Sequence, residues 1–149
     1  DNIWWKLYTW DSLDTDNDND IDIDDTNLVC WEWYHVPSDN EWAILENVLA
    51  GTTCRTWDGW QCNWLGWQGH DLKTPSNNIV NALNIQLVGY ESSGTFYDRG
   101  RYTSLWSNTT FGSYAYYRSL NWINPTVLRY SGSQSIKFSV RCIKSVIQI

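Results

Sequence analysis

The chain contains no methionine and only three prolines in 149 residues, an unusual composition without being low-complexity. It has no apolar run long enough to span a bilayer as a helix. No CxxC pair occurs among its four cysteines, and His35 and His70 are the only histidines, so a zinc site is poorly supplied. There is no basic stripe, which removes the electrostatic footing for nucleic-acid binding. No signal peptide is visible: Asp1 opens a segment that already reads as folded, so a leader or upstream region is expected to have been removed. One local absence is also informative. From Ser92 to Ile136 there is no Lys, no Glu and no Cys.

The aromatic content stands out instead, with 12 Trp and 9 Tyr. The length suits one domain over residues 1–149 with a single buried core. The net charge of −7 is local: eight acidic residues lie between Asp11 and Asp25, and the remainder of the chain would stand at +1. Acidity therefore describes that segment and not the ligand. Cys30, Cys54, Cys62 and Cys142 suggest two disulfides in an oxidising compartment. Four cysteines allow three pairings. Closeness in sequence favours Cys54 with Cys62, which leaves Cys30 with Cys142 to tie the start of the fold to its last strand.

Along the chain, Ile3 to Trp10 reads as a short aromatic strand or turn on the core. One helix follows Val36-Pro37: Ser38 can cap it, and Glu41 can return a bond to the cap's backbone. Trp42, Leu45, Val48 and Leu49 recur at helical spacing and define its expected apolar face, with Gly51 as the stop. Residues 52–78 read as a long loop held by Trp57, Trp60, Trp64 and Trp67. Ile79 to Tyr90 suggests a short helix leading to a strand. Near the end, Ile136, Phe138, Val140 and Cys142 alternate with Lys137, Ser139 and Arg141, the pattern of a half-buried strand. The fold class is α+β, with few helices, short antiparallel strands and long loops.

The acidic segment over residues 14–25 matches a twelve-residue EF-hand-type calcium loop. Asp14, Asp16 and Asp18 fall at positions 1, 3 and 5, Asp20 offers its carbonyl at 7, Asp22 acts through water at 9, and Asp25 takes 12. Alternating hard oxygen ligands suit Ca²⁺. Ile21 takes the inward-packing position. Asn19 replaces the usual Gly at position 6, where Asn tolerates the left-handed backbone, and Asp25 is shorter than the usual Glu. A solvated acidic linker is the alternative. The expected role of the ion is structural.

Several motifs then fall into one order: Leu7-Tyr8-Thr9-Trp10, the stretch Cys30 to Trp42 with its His35-Val36-Pro37-Ser38-Asp39, Leu72-Lys73, Gly89-Tyr90, Gly94-Thr95-Phe96, Leu105-Trp106-Ser107, and Lys137-Phe138-Ser139-Val140-Arg141-Cys142. This order resembles the Fibrobacter succinogenes major paralogous domain, a prokaryotic extracytoplasmic module. Trp31 stands where that family has Pro, and Tyr34 where it has Trp. The calcium-type loop reads as an insertion between the first two motifs. The resemblance implies a C-type-lectin-like fold and an extracytoplasmic setting: cell surface, secreted or virion-associated. That fold also hosts the variable proteins of diversity-generating retroelements, in which adenine-directed mutagenesis alters surface residues near the C-terminus of a fixed scaffold. Glu-Pro-Asn and Trp-Asn-Asp motifs of calcium-dependent sugar lectins do not occur. Formylglycine-generating relatives depend on cysteine chemistry, and the cysteines here read as paired.

The segment from Ser92 to Ile136 has the chemistry of a paratope: Tyr and Trp supply large rigid contacts, and Ser, Gly and Asn supply adaptable hydrogen bonds. In the family frame Gly100, Leu105, Trp106, Ser107, Ala115, Leu120, Val127 and Arg129 read as scaffold. The ligand-binding face comprises Tyr97, Asp98, Arg101, Tyr102, Ser104, Tyr114, Tyr116, Tyr117, Ser119, Asn121, Trp122, Ile123, Asn124, Leu128 and Tyr130. The competing reading makes these rings ordinary sheet packing and Ile123 core. His35 reads as a core histidine and His70-Asp71 as an isolated pair, so no catalytic constellation is expected. The expectation is a non-catalytic display module for a macromolecular ligand, a protein above all. The alternative is an adhesion or carbohydrate-binding module of fixed specificity, with sugars stacking on Trp57, Trp60, Trp64 or Trp67.

Overall fold

The computed structural model describes residues 6–22, 29–50, 85–123 and 127–145. Cys54, Cys62, Asp25, Asn124, the four tryptophans of the central loop and the helical turn expected after Ile79 lie outside them.

The capping chemistry of Ser38 and Glu41 is realised. The Glu41 amide donates to Ser38 Oγ at 3.1 Å, and the Ser38 amide donates to Glu41 Oε2 at 2.8 Å. Helix α1 follows as Asp39–Ala50. Its buried side is set by Asp39, Trp42, Ala43 and Glu46, which recur at i, i+3, i+4 and i+7. Val48, expected on the apolar face, is 72% exposed. The difference has an electrostatic cause: the helix turns Glu46 inward because a buried guanidinium lies across from it.

Nine short strands accompany the helix among the described residues, and the chain is a small α+β fold. β1 (Tyr8–Thr9), β3 (Tyr90–Ser92), β4 (Thr95–Tyr97) and β8 (Lys137–Phe138) form one sheet in the order β1-β8-β3-β4. β2 (Tyr34–His35) pairs with β9 (Ile143–Lys144). The third sheet is the hairpin stack β5 (Tyr102–Phe111), β6 (Tyr114–Asn121) and β7 (Leu128–Ser133). All named pairs are antiparallel; two isolated parallel bridges, Gly89 to Thr103 and Leu105 to Ser139, join the sheets. The long alternating strand expected from Ile136 to Cys142 is broken, because Ser139 leaves the first sheet to pair with Leu105 and is buried.

Gly89 is required where the sheets meet. Its φ is +77°, and a Cβ there would come within 2.1 Å of the Tyr97 carbonyl oxygen.

Two cores result. One gathers Trp10, Leu13, Ile21, Val36, Trp106, Ala115 and Phe138 beside Cys30. The first and later sequence motifs meet there through reciprocal indole bonds: Trp10 Nε1 donates to the Ser107 carbonyl at 3.0 Å, and Trp106 Nε1 donates to the Tyr8 carbonyl at 2.9 Å. The other core, between α1 and the hairpin stack, holds Trp42, Ile85, Leu105, Leu120 and Val127. Cys30 and Cys142 are joined by a disulfide spanning 112 residues, a loop whose closure is worth about 5 kcal/mol on chain-entropy grounds.

Arg118 sits between helix and sheet with no solvent exposure. It donates to Glu46 Oε1, to Asp39 Oδ1 at 2.6 Å and to the Asp39 carbonyl at 3.0 Å. Arg129 completes the cluster, with Nη2 donating to Asp39 Oδ2 at 2.8 Å. Burial alone would raise the Asp39 carboxyl, but the hydrogen bonds and charges of Arg129 and Arg118 outweigh it and hold it below the usual range.

Arg118→Ala takes the guanidinium away from buried Glu46 and leaves Asp39 with Arg129 as its remaining cation, and is expected to cost about 3–5 kcal/mol, read as a fall in urea midpoint. Because the folded Asp39 titrates below its unfolded value of about 3.9, its stabilisation is present above that pH. It is lost as pH falls through the lower folded value. An acid titration of Asp39→Asn should therefore show a shallower loss below about pH 4 than the parent.

Candidate functional site

In an antiparallel sheet directly paired residues share a face, and successive residues alternate. The register of the hairpin stack therefore sorts its side chains. Tyr102 pairs with Asn121; Ser104 pairs with Ser119 and, through it, Leu128; Trp106 pairs with Tyr117 and then Tyr130. These make one face. The opposite face carries Leu105, Tyr116, Arg118, Leu120 and Arg129, and it packs on α1 through the second core and the Arg118 cluster.

The paratope-like residues are divided by this rule. Tyr102, Ser104, Tyr117, Ser119, Asn121, Leu128 and Tyr130 fall together on the outward face. Within it Ser104 is buried, since its carbonyl accepts the Ser139 amide and the neighbouring sheet covers it. Tyr114 and Tyr116 belong to the helix-side face. Tyr116 lies under the Arg129 guanidinium, 4.0 Å from its ring centroid, and so supports the ion cluster. Trp122 and Ile123 are exposed where β6 ends, 62% and 74% respectively, which rules out a core role for Ile123. Asn121 Oδ1 accepts the Ile123 amide at 3.1 Å and shapes that turn.

Tyr97, Asp98 and Arg101 come from the preceding hairpin. Asp98, at φ 56°, forms the turn: its carbonyl accepts the amides of Arg101 and Tyr102. Tyr97 extends the face through a row of rings. It stacks on Tyr90 at 5.1 Å; Tyr90 meets Phe138 edge-on at 6.1 Å; Phe138 lies 4.6 Å from Tyr117, and Tyr117 lies 5.9 Å from Tyr130. Gly132 leaves room for this row, since a Cβ there would lie 3.0 Å from the Tyr117 ring. Burial, then the neighbouring Tyr130 and Tyr90, push the Tyr117 hydroxyl up. Burial, Asp98 and Tyr97 do the same to Tyr90. Both phenols therefore stay neutral donors well into alkali. Tyr90 and Phe138 were not expected in the face. Their contribution depends on β8 lying beside β3, a pairing between residues 91 and 137 that no local pattern announces.

His35 is half-buried and not a core residue. Its Nδ1 lies 2.8 Å from Ser145 Oγ and its Nε2 3.0 Å from Glu41 Oε1. Hydroxyl, imidazole and carboxylate are thus in line, but Glu41 is also committed to the helix cap. The Ser145 amide is taken by the Trp33 carbonyl and offers no oxyanion donor. The trio works as a clasp between α1 and β9.

In the acidic loop, carboxylate oxygens of Asp14, Asp16 and Asp18 lie within 4.8 Å of one another. That separation fits shared ligation of one ion at about 2.4 Å from each oxygen. Asp14 is buried and accepts the amides of Asp18 and Asn19 at 3.2 and 2.9 Å. Asn19 has φ 67°, the left-handed conformation that the missing loop glycine would otherwise supply, and Ile21 is buried in the core. Asp20 and Asp22 are exposed.

The chain belongs to the family of the Fibrobacter succinogenes major domain, whose model matches residues 2–144. No curated protein and no solved structure matches it.

If the ring row is a surface on a separately stabilised scaffold, its exposed members should be dispensable for folding. Tyr97→Ser and Tyr130→Ala are expected to change stability by less than about 1 kcal/mol. Trp106→Ala, on the same face of the hairpin stack as Tyr130 but fully buried, should cost about 3–5 kcal/mol in the same denaturant titration.

Proposed function

We propose that this chain is a non-catalytic binding module with a C-type-lectin-like scaffold. In this reading it presents the outward face of the hairpin stack, with Tyr97, Arg101 and the Trp122-Ile123 tip, to a macromolecular ligand, a protein above all. The observation that carries the reading is the sorting by register. Tyr102, Ser119, Asn121, Leu128 and Tyr130 share one face, while the buried ion cluster and the second core hold the other face to the helix. Side chains on such a face can vary without touching the residues that specify the fold. Tyrosine and asparagine there give rigid contact area with adaptable hydrogen bonds, the chemistry of a paratope.

The sharpest form of the proposal is a face diversified by a retroelement, on a protein displayed outside the cytoplasm. The Cys30–Cys142 disulfide supports an oxidising setting. None of the described residues forms a helix long and apolar enough to cross a membrane. The test is to sequence the DNA around the gene for a reverse transcriptase and a near-repeat of the segment coding residues 97–130. The expected repeat differs mainly at adenines, in codons for the outward-face residues, and leaves those for Leu105, Trp106, Arg118 and Leu120 unchanged. Finding neither element would replace diversification with a fixed-specificity adhesion module.

The proposal also gives the acidic loop a structural calcium ion, ligated by Asp14, Asp16 and Asp18, with Asp20, Asp22 and Asp25 completing the set. Saturating Ca²⁺ at a hundred times its Kd would add about 2.7 kcal/mol, enough to raise the thermal midpoint by roughly 5 °C or more. Asp14→Ala should remove the difference between calcium and chelator. A midpoint indifferent to calcium would make the loop a solvated acidic turn.

A further inference from the structure

Every residue from Ser93 to Tyr102 is exposed, and the turn at the end of this segment is tied down along its backbone. Asp98 turns the chain at φ 56° and Gly100 at φ 78°. The Asp98 carbonyl accepts the Arg101 and Tyr102 amides at 2.9 and 3.0 Å. The Leu87 carbonyl accepts the Gly100 amide at 2.7 Å, and the Arg101 carbonyl accepts the Trp122 amide at 2.9 Å. The turn is therefore bonded both to the chain before β3 and to the residue that follows β6. Gly89 packs against it so closely that a Cβ there would lie 2.9 Å from the Arg99 amide nitrogen. A backbone fixed in this way has little freedom left to lose on binding.

The turn carries two arginines. Among the described residues Arg118 and Arg129 are held by Asp39 and Glu46, and Lys137 by Glu91, whereas Arg99 and Arg101 are exposed and form no ion pair. Asp98 is the one acidic residue between Ser92 and Ile136. The chain as a whole stands at −7, with eight acids between Asp11 and Asp25, so the turn is a basic spot on an acidic protein. Its backbone neighbours are apolar: Trp122, bonded to Arg101, is 62% exposed, and Ile123 after it is 74% exposed. Tyr102 follows the turn and pairs with Asn121. Arginine, tryptophan and tyrosine are the residues that dominate binding hot spots.

That composition narrows the partner. A guanidinium forks onto a carboxylate through two parallel hydrogen bonds. Two cations are too few for a nucleic-acid backbone, where affinity comes from neutralising a run of phosphates. The net charge of −7 opposes adsorption to an anionic lipid surface. A protein segment that carries both carboxylates and apolar side chains complements the arginines and the Trp122-Ile123 pair together.

Resting on the reading of this face as a binding surface, we infer that its partner is an acidic protein segment. Arg99 and Arg101 take its carboxylates, and Trp122 and Ile123 take its apolar side chains.

The test is selection of a phage-displayed library of random dodecapeptides on the disulfide-intact chain, repeated on the double variant Arg99→Gln/Arg101→Gln. Peptides selected on the parent should be enriched in Asp and Glu over the unselected library, with aromatic or aliphatic neighbours. Synthetic copies should bind the double variant about tenfold more weakly, and their binding to the parent should weaken with added salt. An unchanged thermal midpoint checks that the double variant is folded. A second variant, Tyr102→Ala/Tyr130→Ala, separates the two readings. Peptides without acidic enrichment, or equally tight on the arginine variant, but lost on the tyrosine variant, would overturn the acidic partner and leave the binding face standing. No selected peptide, or none that either variant weakens, would overturn both. Binding of the parent to phosphatidylglycerol vesicles that the arginine variant loses, with no acidic peptide selected, would replace the protein segment with a lipid surface.

Discussion

A guanidinium without solvent exposure must be neutralised where it sits, and Arg118 is neutralised from one direction only, by the first two turns of the helix. Asp39 and Glu46 are seven residues apart and therefore on one helical face, so satisfying Arg118 fixes the rotation of the helix about its axis. Arg129, one strand over and paired directly with Arg118, takes the remaining oxygen of Asp39. The cluster thus sets the helix against two adjacent strands at once. Breaking it would cost far more than its net contribution to stability, because the partners left behind would stay buried and charged. Its value is orientation: it decides which face of the hairpin stack is the inside.

The outward face inherits its character from that decision. With Leu105, Arg118, Leu120 and Arg129 committed to the helix, the alternate residues are left to point away. At one end they are covered by the first sheet, where Trp106, Tyr117 and Phe138 interlock; Tyr102, Asn121 and Leu128 at the other end, and Tyr130 on the strand beside Tyr117, remain accessible to different degrees. A gradient from packed to exposed along one sheet face gives a rigid base and a variable rim. The disulfide and the His35 clasp secure a different part of the molecule, the pairing of β2 with β9, and not the tyrosine face.

The legibility of these features in the sequence follows the range of the interactions behind them. The helix start was readable because a capping box is completed within four residues. The loop backbone at Asn19 was readable because a left-handed position selects for Asn or Gly locally. The inward turn of Glu46 was not readable: a glutamate in a helix ordinarily faces water, and only a guanidinium 72 residues away reverses that. Composition groups Tyr114 and Tyr116 with the binding face, but face is a matter of register. Register at those positions is set by pairing with Ser133 and Ser131 and by the irregularity between Trp106 and Thr110.

What the sequence determined by itself is therefore the family, the helix, the cysteine that opens the fold and the one that closes it, and the segment rich in contact chemistry. Each of these is a pattern of residue type at short spacing or in a fixed order. What only the tertiary structure decided is which tyrosines share a surface and that Tyr90 and Phe138 join them. Those outcomes depend on strand register and on contacts across a hundred residues of chain. There a one-residue shift would send every side chain to the opposite face, and no local propensity records the choice.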